Sequence, residues 1–237
     1  MLRRGLTVRE TAKRLGVSTR RVRALAKSKH LGEEASRRLL LLDPAEVERL
    51  AQTERPAHRT LEPANAWALL ALASGDPSLK PGLDAVSPSA RSRLRARLRD
   101  ASLPDLVPLL RKRAEVRWLH ADDADLEAIM GERGVVVTGI SVADGYRFDI
   151  AAPRTVEFYA TAQVAAKLTR TYALEPSSRA NVVLHVVSTA WPFASNTSRA
   201  PALLAAVDLA DSPDQRTARA GREYLAEHAG SPNTPNR

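Results

Sequence analysis

Residues 7–18 contain a helix start, a helix stop and a second start. This spacing predicts two short helices joined by a tight turn. Thr7-Val8-Arg9-Glu10 has the S/T-x-x-E form of a capping box, which starts a helix just after Thr7. Val8, Ala12 and Leu15 then share one face. Gly16 suits a left-handed cap and Ser18 suits the N-cap of the next helix. That second helix is expected from about Thr19 to Lys27, with Val22, Leu25 and Ala26 as its apolar side.

The opposite side of the second helix carries Arg20, Arg23 and Lys27, spaced i, i+3, i+7. An apolar back with a cationic front is what a recognition helix in a major groove requires. Thr19 opens that helix, and Arg21 flanks the basic face within reach of a phosphate. Beyond it, residues 31–42 read as a short hairpin with its tip at Glu33 to Ser36, and Arg37 and Arg38 follow the adjacent backbone or groove. Asp43-Pro44-Ala45-Glu46 starts a third helix, which Leu50 packs onto the core. The pattern predicts a helix–turn–helix that binds double-stranded DNA. The competing reading is a small three-helix bundle with a solvated basic face.

Charge agrees with a polyanion partner at the front of the chain. Residues 1–60 hold 15 basic and 7 acidic side chains, and residues 61–120 hold 10 and 6. Residues 121–237 reverse the sign, with 11 basic and 14 acidic. Arginine outnumbers lysine 30 to 6, a bias that a GC-rich genome also produces but that leaves the asymmetry unexplained. Cysteine is absent, which excludes disulfides, thiol nucleophiles, iron–sulfur clusters and thiolate zinc sites. No apolar run approaches the roughly 20 residues of a membrane span, and no apolar stretch follows the basic N-terminus. The expectation is a cytoplasmic protein without a membrane partner.

Residues 53–62, TERPAHRTLE, read as a linker, followed by a helix near Ala64 to Ala73. Ser87-Pro88 opens an arginine-rich helix with Arg91, Arg93, Arg95, Arg97 and Arg99, on which Leu94 and Leu98 mark one buried edge. It reads first as a solvated amphipathic helix and second as a source of added phosphate contacts. One or two helical turns cover Leu106 to Arg113. From Val116 strands and helices alternate. Strands are expected at 116–120, 135–140, 155–159 and 181–188, with Asp144-Gly145 as a hairpin turn leading into 146–150. Helices are expected at 124–130, 161–171, 202–210 and 213–228.

The chain carries no nucleotide-binding glycine motif, no nucleophile elbow and no H-E-x-x-H. No two histidines share ligand spacing, so ordinary surface or packing roles are expected for all five, including His185. Asp208, on an otherwise apolar helix, reads as a cap or a buried partner. The expectation is a non-enzyme without cofactor or metal.

The segment GLTVRETAKRLGVSTRRVRALAKSKHLGEEASRRLLLLDPAEVERL, residues 5–51, resembles the excisionase and MerR-like winged helix–turn–helix. The resemblance implies duplex DNA binding, with the second helix in the groove and the hairpin as wing. Glu33 and Glu34 depart from a phosphate-binding wing. RKRAEVRWLHADDADLEAIMGERGVVVTGIS, TVEFYATAQVAAKLTRTYAL, NVVLHVV and APALLAAVDLADSPDQRTARAGREYL resemble the AbiEi-class antitoxins of type IV toxin–antitoxin systems over residues 110–227. That resemblance implies an autorepressor of its own promoter, encoded beside a nucleotidyltransferase toxin that the C-terminal domain counters; the promoter site is expected to be an inverted repeat, on which two copies cooperate. The arginine-rich 87–99 segment and the stretch at Gly145-Tyr146-Arg147 stand outside the family pattern. Direct toxin contact would fall on the acidic group Asp122, Asp123, Asp125 and Glu127, whose simpler role is helix capping and solubility.

The fold expected is α+β: a winged helix–turn–helix over 1–52, a linker and helical segment over 53–115, a mixed α/β antitoxin domain over 116–230 and a disordered tail over 231–237. The expected function is a DNA-binding antitoxin and autorepressor. The alternative is a stand-alone transcription factor whose C-terminal domain senses a ligand.

Overall fold

The computed structural model describes residues 5–15, 18–28, 33–36, 39–54, 60–150 and 154–228. The chain mixes helix and sheet and divides into two compact units, residues 1–57 and 58–237. No helix among the described residues is long and apolar enough to cross a membrane.

The first unit runs β1 (Leu6–Thr7), α1 (Val8–Leu15), α2 (Thr19–Ser28), β2 (Glu33–Ser36), β3 (Leu39–Leu42) and α3 (Pro44–Glu54). The expected capping box closes the start of α1. Thr7 N–H and Oγ1–H both donate to Glu10 Oε2 at 2.8 Å, and Glu10 N–H donates back to Thr7 Oγ1 at 3.3 Å. Asp43 Oδ1 accepts from Ala45 N–H at 2.7 Å and opens α3. The strands form an antiparallel sheet in the order β1-β3-β2. Glu33 to Ser36 is therefore an arm of the hairpin and not its tip, because Glu33 and Glu34 pair with Leu41 and Leu40. Ala12, Leu15, Val22, Ala26, Leu42 and Val47 make the core. Arg14 ties α1 to α3 through Glu48 Oε2 at 2.8 Å. The side chain of Leu50, expected in this core, lies outside the described residues.

The second unit opens with helices: α4 (Pro63–Ser74), α5 (Lys80–Asp84), α6 (Pro88–Asp100) and α7 (Leu103–Leu106), then a 3-10 stretch (Val107–Arg113). β4 (Glu115–His120), α8 (Leu126–Gly131), β5 (Val136–Val137), α9 (Ala143–Tyr146), β6 (Val156–Thr161), α10 (Ala162–Thr171), β7 (Glu175–Pro176), β8 (Val182–Val187), α11 (Ala202–Ala210) and α12 (Gln215–Glu227) follow. The sheet order is β5-β6-β8-β4-β7. β6 and β8 are parallel, with α10 in the crossover, and the other pairs are antiparallel.

Alternation along β6 and β8 sends side chains to two cores. Phe158, Ala160, Val182 and Leu184 pack with Ile129, Ala165 and Leu168 on one face. Tyr159 and Val187 join Trp67, Leu70, Phe193, Leu204 and Leu209 on the other. α4 is buried continuously from Ala66 to Ala71, which explains its apolar composition on every side. Its core therefore crosses residue 115, joining the helices of 63–113 to the sheet.

Two expectations fail between residues 135 and 150. The strand expected over 135–140 pairs only at Val136 and Val137. Gly139 takes a left-handed φ of +50°, and a 3-10 turn over Gly139–Val142 follows. On its other edge Val137 N–H donates to Ser198 O at 2.9 Å and its carbonyl accepts from Ala200 N–H at 2.8 Å. Asp144-Gly145 is not a hairpin turn. It lies inside the helical turn α9, which ends at Arg147 with φ +57°. Phe148 N–H returns to Ala143 O at 3.1 Å, and Phe148 and Ile150 are buried by core packing without joining a sheet.

Candidate functional site

On the first unit, α2 presents Arg20 and Arg23 to solvent, while Val22, Leu25 and Ala26 are 1%, 6% and 6% exposed. The helix starts with Val22 N–H donating to Ser18 O at 3.1 Å, and Thr19 is half-buried in its first turn. The backbone of Arg21 and Lys27 lies in α2, but their side chains are outside the described residues, as are Arg37 and Arg38 entirely. α2 thus carries a cationic outer face made of residues only three apart, held by an apolar inner face.

On the second unit, the acidic group beside α8 does local work. Asp122 Oδ1 accepts from Ala124 N–H at 3.0 Å and caps a 3-10 turn. Asp123 meets Arg154 at 3.3 Å and accepts from Asn181 Nδ2 at 3.1 Å. Asp125 is half-buried and Glu127 is exposed.

A polar cluster that sequence reasoning missed lies between the sheet and α11. Arg113, at the end of the 3-10 stretch, is 3% exposed and pairs with Asp208 at 2.5 Å and Asp211 at 2.9 Å. Tyr159 O–H donates to the same Asp208 Oδ1 at 2.6 Å, and Thr138 O–H donates to Oδ2. Burial alone pulls the Arg113 guanidinium down, but the Asp208 and Asp211 carboxylates, with a hydrogen bond to the Tyr159 hydroxyl, outweigh that and hold it above its ordinary value. Burial first, and Asp208 with it, push the Tyr159 phenol well up against the opposing pull of Arg113. Tyr159 therefore stays protonated and serves as a donor.

Glu157 and His185 continue the cluster on neighbouring strands. His185 Nε2 meets Glu157 Oε1 at 2.8 Å, and the His185 and Tyr159 rings lie 4.7 Å apart. Glu157 Oε2 accepts from Ile140 N–H at 3.0 Å and occupies the space a Cβ at Gly139 would fill. His185 Nδ1 is buried without a partner. The visible sequence signal was Asp208 on an apolar helix; Arg113 was hidden in a basic run 95 residues away.

Glu157, His185 and Asp208 offer ligand atoms within 4.8 Å of one another. The donor set does not suit a cation, because both Asp208 oxygens are engaged and the Arg113 guanidinium already supplies the positive charge. Asp211 reaches the surface with its side chain 17% exposed, while Arg113, Thr138, Glu157, Tyr159, His185 and Asp208 are each 8% exposed or less, so the interior of the cluster is closed to a substrate. Its chemistry is that of a charge-compensated polar core.

Comparison with known proteins gives no matching family model, no matching curated protein and no matching solved structure.

Proposed function

We propose that the chain is a DNA-binding autorepressor and antitoxin of a type IV toxin–antitoxin system. In this reading the first unit is a winged helix–turn–helix, with α2 in the major groove and the β2–β3 hairpin as wing. The observation that carries it is the opposition on α2: Arg20 and Arg23 exposed, and Val22, Leu25 and Ala26 buried. An α-helix fits the major groove, and exposed arginines reach base edges or phosphates from it. Thr19, Arg21, Lys27, Arg37 and Arg38 are the further candidates for contact. The second unit, on the strength of its resemblance to the AbiEi class, counters a nucleotidyltransferase toxin. Its acidic residues Asp122, Asp123, Asp125 and Glu127 are the candidate contact.

Binding isotherms on the protein's own promoter at several salt concentrations test the DNA reading. Arg20→Ala or Arg23→Ala should cost about 1–3 kcal/mol if that arginine reads a base, whereas Arg21→Ala should weaken all duplexes alike. Wild-type promoter affinity in the triple variant R20A/R23A/K27A would remove the recognition-helix assignment. Co-expression with the adjacent gene product tests the antitoxin half: loss of toxicity supports it, and unchanged toxicity refutes it.

A further inference from the structure

The helix α6 has more positive charge than its own stability explains. Arg91 is accounted for: it meets Asp84 at 3.5 Å and donates to Val86 O at 3.2 Å. Arg93, Arg95, Arg97 and Arg99 are exposed and meet no carboxylate among the described residues. Like charges at i, i+4 repel on a helix. The helix dipole compensates only the last turn, where Arg97 and Arg99 sit. A helix needing charge only for solubility would mix signs, and α6 has a single acid, Asp100, at its C-terminal end, where the dipole disfavours it.

The arrangement of these arginines is specific. Ala90 and Leu94 are buried and Leu98 packs partly against the core, which fixes the inner edge. At about 100° per residue, Arg93 and Arg97 fall on one flank and Arg95 and Arg99 on the other. Ser92 and Ala96 lie between the two rows on the outer face. Within each row the arginines rise by about 6 Å along the axis. The result is a small-residue spine between two cationic rails. A major groove about 12 Å wide admits one helix, with a phosphate backbone on either wall.

We infer that α6 is a second contact surface for duplex DNA, its outer face towards a groove and its two arginine rows on the opposing phosphate walls. The choice of duplex rests on the function proposed above for the first unit. Eight residues, 55–62, separate α3 from α4, an extended reach of at most about 30 Å. A tether this short keeps the second unit at an effective concentration on the order of millimolar around any duplex the first unit holds. The contact is sequence-independent, since arginine on phosphate carries no base information.

Salt titrations of the full chain on a random-sequence duplex of about 30 base pairs provide the test. The variant R93Q/R95Q/R97Q/R99Q should bind about tenfold weaker or worse at low salt. Its slope of log affinity against log salt should shrink by about 3 to 4, at roughly 0.9 per lost phosphate contact. The matching lysine variant R93K/R95K/R97K/R99K should restore the slope, which separates charge from folding. A glutamine variant with wild-type slope overturns the inference. If R20A/R23A still abolishes promoter preference in that case, the reading of the first unit survives alone. If the glutamine variant loses slope while R20A/R23A leaves promoter preference intact, α6 stands and the recognition helix falls. A loss seen only on single-stranded RNA of the same length overturns the assignment to duplex DNA.

Discussion

Arg113 and Asp208 form a buried ion pair 2.5 Å long across 95 residues of sequence, joining the end of the helical segment to α11. Neither charge reaches water, and Tyr159 and Thr138 saturate the carboxylate. Such a pair is weak evidence for net stability but costly to break on the arginine side, because Asp208 is then buried without a cation, whereas Arg113 keeps Asp211 as a second partner.

Arg113→Met leaves the Asp208 carboxylate buried without a cation and should destabilise the second unit by about 3–5 kcal/mol, whereas Asp208→Asn should cost less, because Asp211 still faces the guanidinium at 2.9 Å. The double variant should lose less than the sum of the two. All three tryptophans, Trp67, Trp118 and Trp191, lie in the second unit, so fluorescence-detected denaturation follows that unit specifically. Additive losses would mean that the pair does not couple.

Gly139 gives a second handle on the same cluster. Its φ is +50°, and a Cβ there collides with the Glu157 carboxylate that accepts from Ile140 N–H. Gly139→Ala should cost about 2–4 kcal/mol, from left-handed strain and a displaced charged acceptor together. Gly131→Ala is the control, since a Cβ there meets nothing within 4 Å. Equal melting temperatures for the two variants would contradict the cradle.

Local signals survive translation into structure better than long-range ones. Thr7 with Glu10, Asp43 and Ser87 each start a helix as expected, because a cap is decided within four residues. The 143–150 stretch misled because Asp144-Gly145 is a strong turn signal and the residues after it alternate. The alternation of Phe148 and Ile150 arises from burial in a loop, where no neighbouring strand is available. The polar cluster was unreadable for another reason. Its members come from 113, 138, 157, 159, 185, 208 and 211, and no spacing rule links the whole set. Arg20 and Arg23 sit on the solvent side of α2 because one helical period decides that placement.

Asp214 should make a small, acid-sensitive contribution to the stability of the second unit. Its Oδ1 accepts from Thr217 N–H and Oγ1–H, both at 2.8 Å, at the start of α12. The Thr217 backbone bond, the largest cause, outweighs burial and holds the carboxyl below its ordinary value. The folded chain then binds fewer protons than the unfolded one in that range. The stabilisation is complete above the ordinary carboxylate range and disappears as pH falls through the lowered value. Asp214→Asn keeps the acceptor and removes the charge. It should cost about 0.3–1 kcal/mol at neutral pH, and the gap to wild type should close at low pH. A gap independent of pH would assign the effect to something other than this charge.

Gly221 sets the approach of α11 and α12. A Cβ there meets Ala206 O, Ala210 N and Leu209 C, all backbone atoms that cannot swing aside. Glycine inside a helix costs about 1 kcal/mol relative to alanine, so its presence at the middle of α12 needs such a reason. Gly221→Ala should destabilise the second unit by about 1–3 kcal/mol despite its better helix propensity, because the helices must separate. Gln215 to Glu227 would otherwise gain from the change, which makes the sign of the effect the informative quantity. A stabilised variant in fluorescence-detected denaturation would show that the close crossing at Gly221 does not limit the packing of α11 on α12.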